Sequence, residues 1–195
     1  YGAIAFAREC RKQGVQPLIG MTVTLQQPVP GPEHLLSAGA GPGHLVLLAK
    51  NATGYRSLCR LSTLIQGRPD RETVAANGLA WEQIAAERAG LICLSGGRMG
   101  WVDRYLAAGE PSLALAFAGR LAGTFDEDAC LPLELHKPED ADRAAEIAAM
   151  ARRLGMPLVA VQPVYCLSEE EAPRLRLLAA IRQNRPLDVV FEEEE

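Results

Sequence analysis

Three histidines, one glycine-rich turn and a few carboxylates are the features of this chain whose chemistry exceeds packing. His34 lies in a Pro/Gly-rich link, His44 at the start of an apolar run and His136 at the end of one. Spread this widely they make no metal motif, and a lone His at a strand end is expected to be a hydrogen-bonded structural residue. His136, within LELHKPED, precedes the acidic start of a helix, where a packing or capping role is expected. The stretch SGGRMG, residues 95–100, joins a strand to a helix and could offer backbone N–H groups to a phosphate. A tight turn built from small residues explains the same glycines. Glu134 and Asp126 through Asp128 could serve as acid, base or ligand, yet no convergent partner accompanies them, and a solvated loop accounts for Asp126–Asp128. Arg8, Arg11 and Lys12 mark one helix as basic, and Arg174, Arg176, Arg182 and Arg185 another; both read as solvated faces.

Five cysteines, Cys10, Cys59, Cys93, Cys130 and Cys166, are an odd number without a CxxC pair, which argues against a disulfide framework and a zinc knuckle. A reducing, cytoplasmic setting is expected. A net charge of −4 lacks the basic excess that duplex binding leaves in a sequence, so any DNA contact is expected in a neighbouring domain. With 48% hydrophobic and 23% charged residues the composition is that of a globular protein, and no apolar run approaches a membrane span. A length of 195 residues suits one domain with a sizeable core. The chain opens on YGAIAFARECRKQ, which reads as helix interior and suggests a piece of a longer chain.

Short apolar runs alternate with segments of helical period, the pattern of successive β and α units. The runs are QPLIGMTVTL, HLVLLAK, LICLS, CLPLEL and MPLVAV. Helices are predicted from the start to Gln13 and over Ala52–Ile65, Leu79–Arg88, Trp101–Ala107, Pro111–Gly123, Glu139–Leu154 and Ser168–Gln183. Gly14 and Gly155 sit where helices end, and Ser168 with Glu171 spells a capping box, although Pro173 removes a donor nearby. Between the first two strands, QQPVPGPEHLLSAGAGPG has no helical period, which predicts an antiparallel pair. The helical links between the last three strands predict parallel pairing. The result is a layered or barrel α/β domain whose strand ends share one face.

The runs YGAIAFARECRKQGVQPLIGMTVTL, GHLVLLAKNATGYRSLCRLSTLIQG, GLICLSGGRMGWVDRYLAAGE and MPLVAVQPVY with LLAAIRQNRPL together resemble the PHP domain of bacterial family C DNA polymerases. That family comprises the alpha subunit of polymerase III and its error-prone relatives. HLVLLAKNATGYRSLCRL is the most specific piece. The resemblance implies an α/β fold, a distorted TIM-like (β/α)7 barrel, here partial because its first strands, with His-x-His and Asp-His ligands, would precede Tyr1. It assigns residues 1–190 to the PHP domain and 191–195 to an acidic end leading to polymerase domains.

Set against the family's ligand pattern, most positions fail. Gly-x-Glu-Val reads Gly20, Met21, Thr22, Val23, so Thr22 replaces a carboxylate. Ser-Gly-Cys reads Ser95, Gly96, Gly97, so Gly97 replaces a thiol. Asn-Asp-Val-His-Tyr reads Gln162, Pro163, Val164, Tyr165, Cys166, so Pro163 replaces a carboxylate and Tyr165 an imidazole. His44 alone is retained, and neutral side chains cannot supply a metal cluster's donors. Thr22, His44, Gly97, Pro163 and Tyr165 therefore outline a vestigial pocket expected to hold no metal and no cofactor, with no catalytic residue in this stretch. The resemblance implies a metal-free scaffold within a DNA-directed DNA polymerase whose own Mg chemistry lies in other domains. Its partners would be the polymerase domains of the same chain, DNA through them, and an exonuclease subunit or sliding clamp; no membrane is implied. The divergent ligands and the IRQNRPL ending lean toward the error-prone type. The alternatives are an active metal-dependent phosphoesterase or 3'-5' proofreading exonuclease, which needs the missing ligands, and an unrelated α/β-barrel enzyme.

Overall fold

In the computed structural model, residues 2–28, 42–138, 140–162, 164, 166–184 and 186–187 are described. The elements run α1 (Ala3–Lys12), β1 (Gly20–Leu25), β2 (Gly43–Ala49), α2 (Ala52–Gln66), α3 (Arg71–Asn77), α4 (Trp81–Ala86) and β3 (Leu91–Leu94), then α5 (Trp101–Ala107), α6 (Pro111–Phe125), β4 (Ala129–Leu133), α7 (Asp140–Leu154), β5 (Leu158–Ala160) and α8 (Ala172–Gln183). The chain divides into two compact units, Tyr1–Val161 and Gln162–Glu195.

In the first unit the five strands form one mixed sheet in chain order. β2 runs antiparallel to β1 and β3, while β3, β4 and β5 run parallel. The sequence expectations for the β1–β2 pair and the last three strands agree with this pairing. Residues 29–41, including His34, lie outside the described residues, and with them the predicted helix-free link.

Period-two alternation puts Val23, Leu25, Leu45, Leu47 and Cys93 on one face of the sheet, all fully or nearly fully buried. Helices close that face with stripes of period 3.6: Leu58, Leu61 and Ile65 from α2, and Ala114, Phe117, Ala118, Leu121 and Phe125 from α6. Trp81 meets Phe117 edge-on at 5.8 Å between ring centroids. Asn51 starts α2 by accepting hydrogen bonds from the N–H groups of Thr53 (2.9 Å) and Gly54 (3.1 Å). Gly54 is required there, since a Cβ would lie 2.0 Å from the carbonyl oxygen of Gly90.

Several boundaries differ from the sequence reading. β1 begins at Gly20 rather than residue 16, after Pro17, which has no N–H to give a ladder. A short helix, α3, follows Asp70 where none was predicted; seven residues are too few for a clear apolar period. α4 is shorter than Leu79–Arg88 because Leu79 is used elsewhere, in a parallel bridge to Leu25 on the outer edge of β1. In the second unit, α8 begins at Ala172 after a 3-10 turn over Glu169–Glu171, with Pro173 in its first turn. The Ser168–Glu171 capping box does not form; the Glu171 carboxylate accepts the Leu167 N–H at 2.9 Å instead. Among the described residues no helix is long and apolar enough to cross a membrane, and the five cysteines are free thiols.

Candidate functional site

The carboxyl ends of β1, β3 and β4 and the amino end of β2 lie at one end of the sheet, the place where α/β folds usually put their chemistry. His44 lies directly opposite Thr24 in the β1–β2 ladder, and Thr22, two residues earlier in β1, points to the same face and is exposed. Position 96, just past β3, sits against His44: a Cβ on Gly96 would lie 2.0 Å from the His44 carbonyl oxygen. His44 and the Gly96–Gly97 turn thus lie at neighbouring strand ends, while Thr22 sits mid-strand opposite Val46. Pro163 and Tyr165 lie outside the described residues.

SGGRMG forms a tight turn, with Gly96 at φ 90° and Gly97 at φ 57° and a 3-10 turn over Gly97–Met99. The small-residue explanation therefore accounts for both glycines. Gly97 is also crowded. A Cβ there would stand 1.7 Å from Glu134 Oε1, so the carboxylate occupies the space into which a side chain at 97 would grow.

Glu134 is not the unpartnered carboxylate that its sequence context suggested. Arg98 Nε lies 3.8 Å from Glu134 Oε2, and His136 Nε2 lies 3.7 Å from the same oxygen. Arg98 also pairs with Asp140 through Nη2. Asp140 Oδ2 accepts the backbone N–H groups of His136 and Lys137, each at 2.9 Å, and these bonds, the Lys137 one foremost, hold its carboxyl below the usual range. The capping expected around His136 is therefore made by its backbone, with Asp140 at the start of α7 as acceptor.

Beneath this knot is a small cavity lined by Arg98, Asp103, Glu134, Asp140 and Arg143 over Leu133 and Ile147. Asp103, on α5, is only 5% exposed, and its Oδ2 has no hydrogen-bond partner among the described residues. Burial pushes its carboxyl up to about 6; Arg143 opposes that rise and the nearby Glu134 adds to it. Elsewhere, Asp128 is engaged with Lys50 at 2.8 Å rather than simply solvated. Cys93 is a core residue whose thiol burial pushes up, away from reactivity. A larger groove of about 720 Å³ between α1 and the ends of β2 and β3 is mainly apolar and far poorer in carboxylates.

The residues present do not fit the metal cluster that the family resemblance implies. Of the family's ligand positions, Gly97 offers no side-chain donor and Thr22 only a neutral hydroxyl. Among the described residues no three His, Cys, Asp or Glu side chains converge in a metal-holding group. What the arrangement can do is fix opposite charges at the ends of β3 and β4 and exchange a proton at Asp103. Sequence reasoning missed Arg98, Asp103, Asp140 and Arg143 as a group. The one available signal was Asp103, a carboxylate set among Trp101, Val102 and Tyr105 on a helix that otherwise buries its apolar side.

The chain matches the family described as PHP domain over residues 1–137. It is 29% identical over 188 residues to the DNA polymerase III subunit alpha of Halalkalibacterium halodurans, covering 94% of this chain and 15% of that protein. It is 31% identical over 173 residues to the Caulobacter vibrioides subunit, covering 85% of this chain and 14% of the relative. The Treponema pallidum subunit is 30% identical over 193 residues, covering 95% and 16%. The chain therefore spans about 15% of the length of the curated relatives it matches.

Proposed function

This chain belongs to the PHP domain family, and from that premise we propose that it is a metal-free scaffold module of a bacterial DNA polymerase III alpha subunit or error-prone relative. In this reading the mixed sheet is part of a distorted TIM-like barrel. DNA synthesis is carried out by other domains of the same polypeptide with their own Mg, and an exonuclease subunit or sliding clamp is the candidate docking partner. The observation that carries the reading is the Glu134 carboxylate, 3.8 Å from Arg98 Nε, which fills the space beside Gly97 where the family resemblance places a thiol. A metal cluster needs several donors converging at bonding distance, and here an internal ion pair fills part of that volume.

Elemental analysis of the purified protein should find substoichiometric Zn, Mn and Fe, and Gly97→Cys alone should not raise the metal content, because Glu134 must first leave Arg98. Stoichiometric metal in the parent, lost on His44→Ala, would overturn the scaffold reading in favour of a metal-dependent phosphoesterase or proofreading exonuclease. Primer extension by the polymerase should be unchanged per folded molecule in His44→Ala. A fall in extension without a fall in melting temperature would assign the pocket a chemical role.

A further inference from the structure

We propose that the groove between α1 and the sheet is a docking site for a short acidic and apolar peptide segment of a protein partner, whose apolar side chains seat on the groove floor and whose carboxylates meet Arg8 and Arg11. The inference goes beyond the scaffold reading and does not depend on it. The groove lies at the end of the sheet away from His44, beside the carboxyl end of β2 and the amino end of β3.

α1 has an apolar side that the fold leaves uncovered. It buries no residue, and Ile4 is 67% exposed. Ile4, Ala7, Arg8 and Arg11 follow the i, i+3, i+4, i+7 spacing of a single helix face, and all four line the groove. Leu18, 65% exposed, continues the apolar lining with Tyr55 and Ile92. At about 720 Å³ the groove has room for several side chains of a ligand. A contiguous apolar surface rimmed by charge marks a binding face rather than a solvated helix.

Charge decides what kind of partner fits. Among the described residues no Asp or Glu lines the groove, although acidic residues outnumber basic ones in the chain, 24 to 20. Its cations are Arg8, Arg11 and Lys50. Lys50 is held by Asp128 at 2.8 Å, so its charge is committed. Arg8 and Arg11 have no ion pair among the described residues, whereas Lys12, the other cation of α1, pairs with Glu9 at 3.0 Å. Two like charges three residues apart on a helix repel, and an incoming carboxylate relieves that repulsion while it pairs with a guanidinium. The groove of about 570 Å³ between the α5–α6 corner and α7 is different: it carries Glu146 and Arg153, one charge of each sign, and so selects neither. In the α1 groove, removal of apolar area supplies the affinity, and the two arginines set the sign and register of what binds.

Selection of a random dodecapeptide phage library on the full polypeptide, repeated on Arg8→Glu/Arg11→Glu and on Ile4→Ser/Leu18→Ser, tests this. Peptides retained by the parent should combine large apolar residues with Asp or Glu and should compete with one another. They should bind the arginine variant about tenfold more weakly, and that loss should shrink at high salt. The apolar variant should weaken the same peptides by about as much with both arginines in place, and there the loss should not depend on salt. All four positions are exposed, so the variants should melt with the parent. An arginine variant that melts early is replaced by Arg8→Gln/Arg11→Gln, of which the same direction of change is required. Retained peptides without carboxylates, or binding unchanged in a folded variant of either pair, would overturn the docking site. Failure to enrich any peptide would overturn it equally, and is the result expected if another part of the polypeptide fills the groove.

Discussion

Trp101 and Arg98 are three residues apart, yet they belong to two differently built regions. Trp101 is 1% exposed, its indole N–H donates to the Leu25 carbonyl at 2.9 Å, and its ring lies 5.5 Å from that of Tyr105. Around it the core is apolar and helix-covered. Arg98 is 41% exposed at the side chain and holds two carboxylates at the sheet's end. Asp103 stands between them, on the helix that begins with Trp101 but facing the charged cavity. The contrast teaches that stability and charge organisation are separated here by a single helical turn. The core keeps the sheet and helices together through removed apolar area, and the knot fixes where charges sit at small net gain.

Substituting the core should give the largest effect. Trp101→Ala removes a large ring from a fully buried site together with its bond to the Leu25 carbonyl, which keeps Gly43 as its ladder partner, so unfolding free energy should fall by about 3–5 kcal/mol. Trp101→Phe should recover part of the packing but not the hydrogen bond. Chemical unfolding of both variants measures this. A loss under about 1 kcal/mol for Trp101→Ala would mean the core collapses around the missing ring and is less rigid than its burial implies.

A smaller, pH-dependent effect should come from the border between the regions. The Asp103 carboxyl is raised in the folded protein from 3.8 to about 6. The folded state therefore holds that proton more tightly than the unfolded chain, and stability is lost as pH climbs through this window. No cost is present below the unfolded value, and the full cost is present above the folded one. Asp103→Asn removes the ionisation, so the variant should gain roughly 2–3 kcal/mol over the parent at pH 7.5 relative to their difference at pH 3.5. Melting curves at the two pH values measure that change. A difference independent of pH would show that Asp103 ionises as freely in the fold as in water.

The two regions were unequally legible in the sequence, for a physical reason. Alternation in GMTVTL and HLVLLA and the stripe Leu58, Leu61, Ile65 record burial locally, so the strands and most helices could be read from spacing, and the pairing of β1 with β2 from the Pro/Gly-rich link between them. The charged knot is assembled from a turn, a strand end and two helices, with Arg98 and Asp140 separated by 42 residues. No periodicity records such a meeting. Glu134 was visible as a carboxylate without a partner, and Gly97 as a missing thiol, but their competition for one space is a property of the folded backbone. The short α3 escaped because it buries no residue.

The smallest expected effect lies in the knot itself. Arg98 is the group common to Glu134 and Asp140, which suggests at first that removing it should be severe, as for a buried pair broken on one side. The geometry argues otherwise. Asp140 keeps two backbone N–H donors at 2.9 Å, and Glu134 lies 3.8 Å from Arg98 Nε, beyond hydrogen-bond reach, so little is lost at either carboxylate. The guanidinium is 41% exposed and water can replace it. Arg98→Met should therefore lower stability by no more than about 1 kcal/mol at low salt. The loss should shrink as ionic strength rises toward 1 M, where the screening length falls to about 3 Å. Arg98→Lys, which keeps the charge but not the planar fork, should fall between the parent and Arg98→Met. Unfolding curves at low and high salt measure all three proteins. A salt-independent loss for Arg98→Met as large as that for Trp101→Ala would erase the distinction, because the knot would then act as a second core in which water cannot take the place of the arginine.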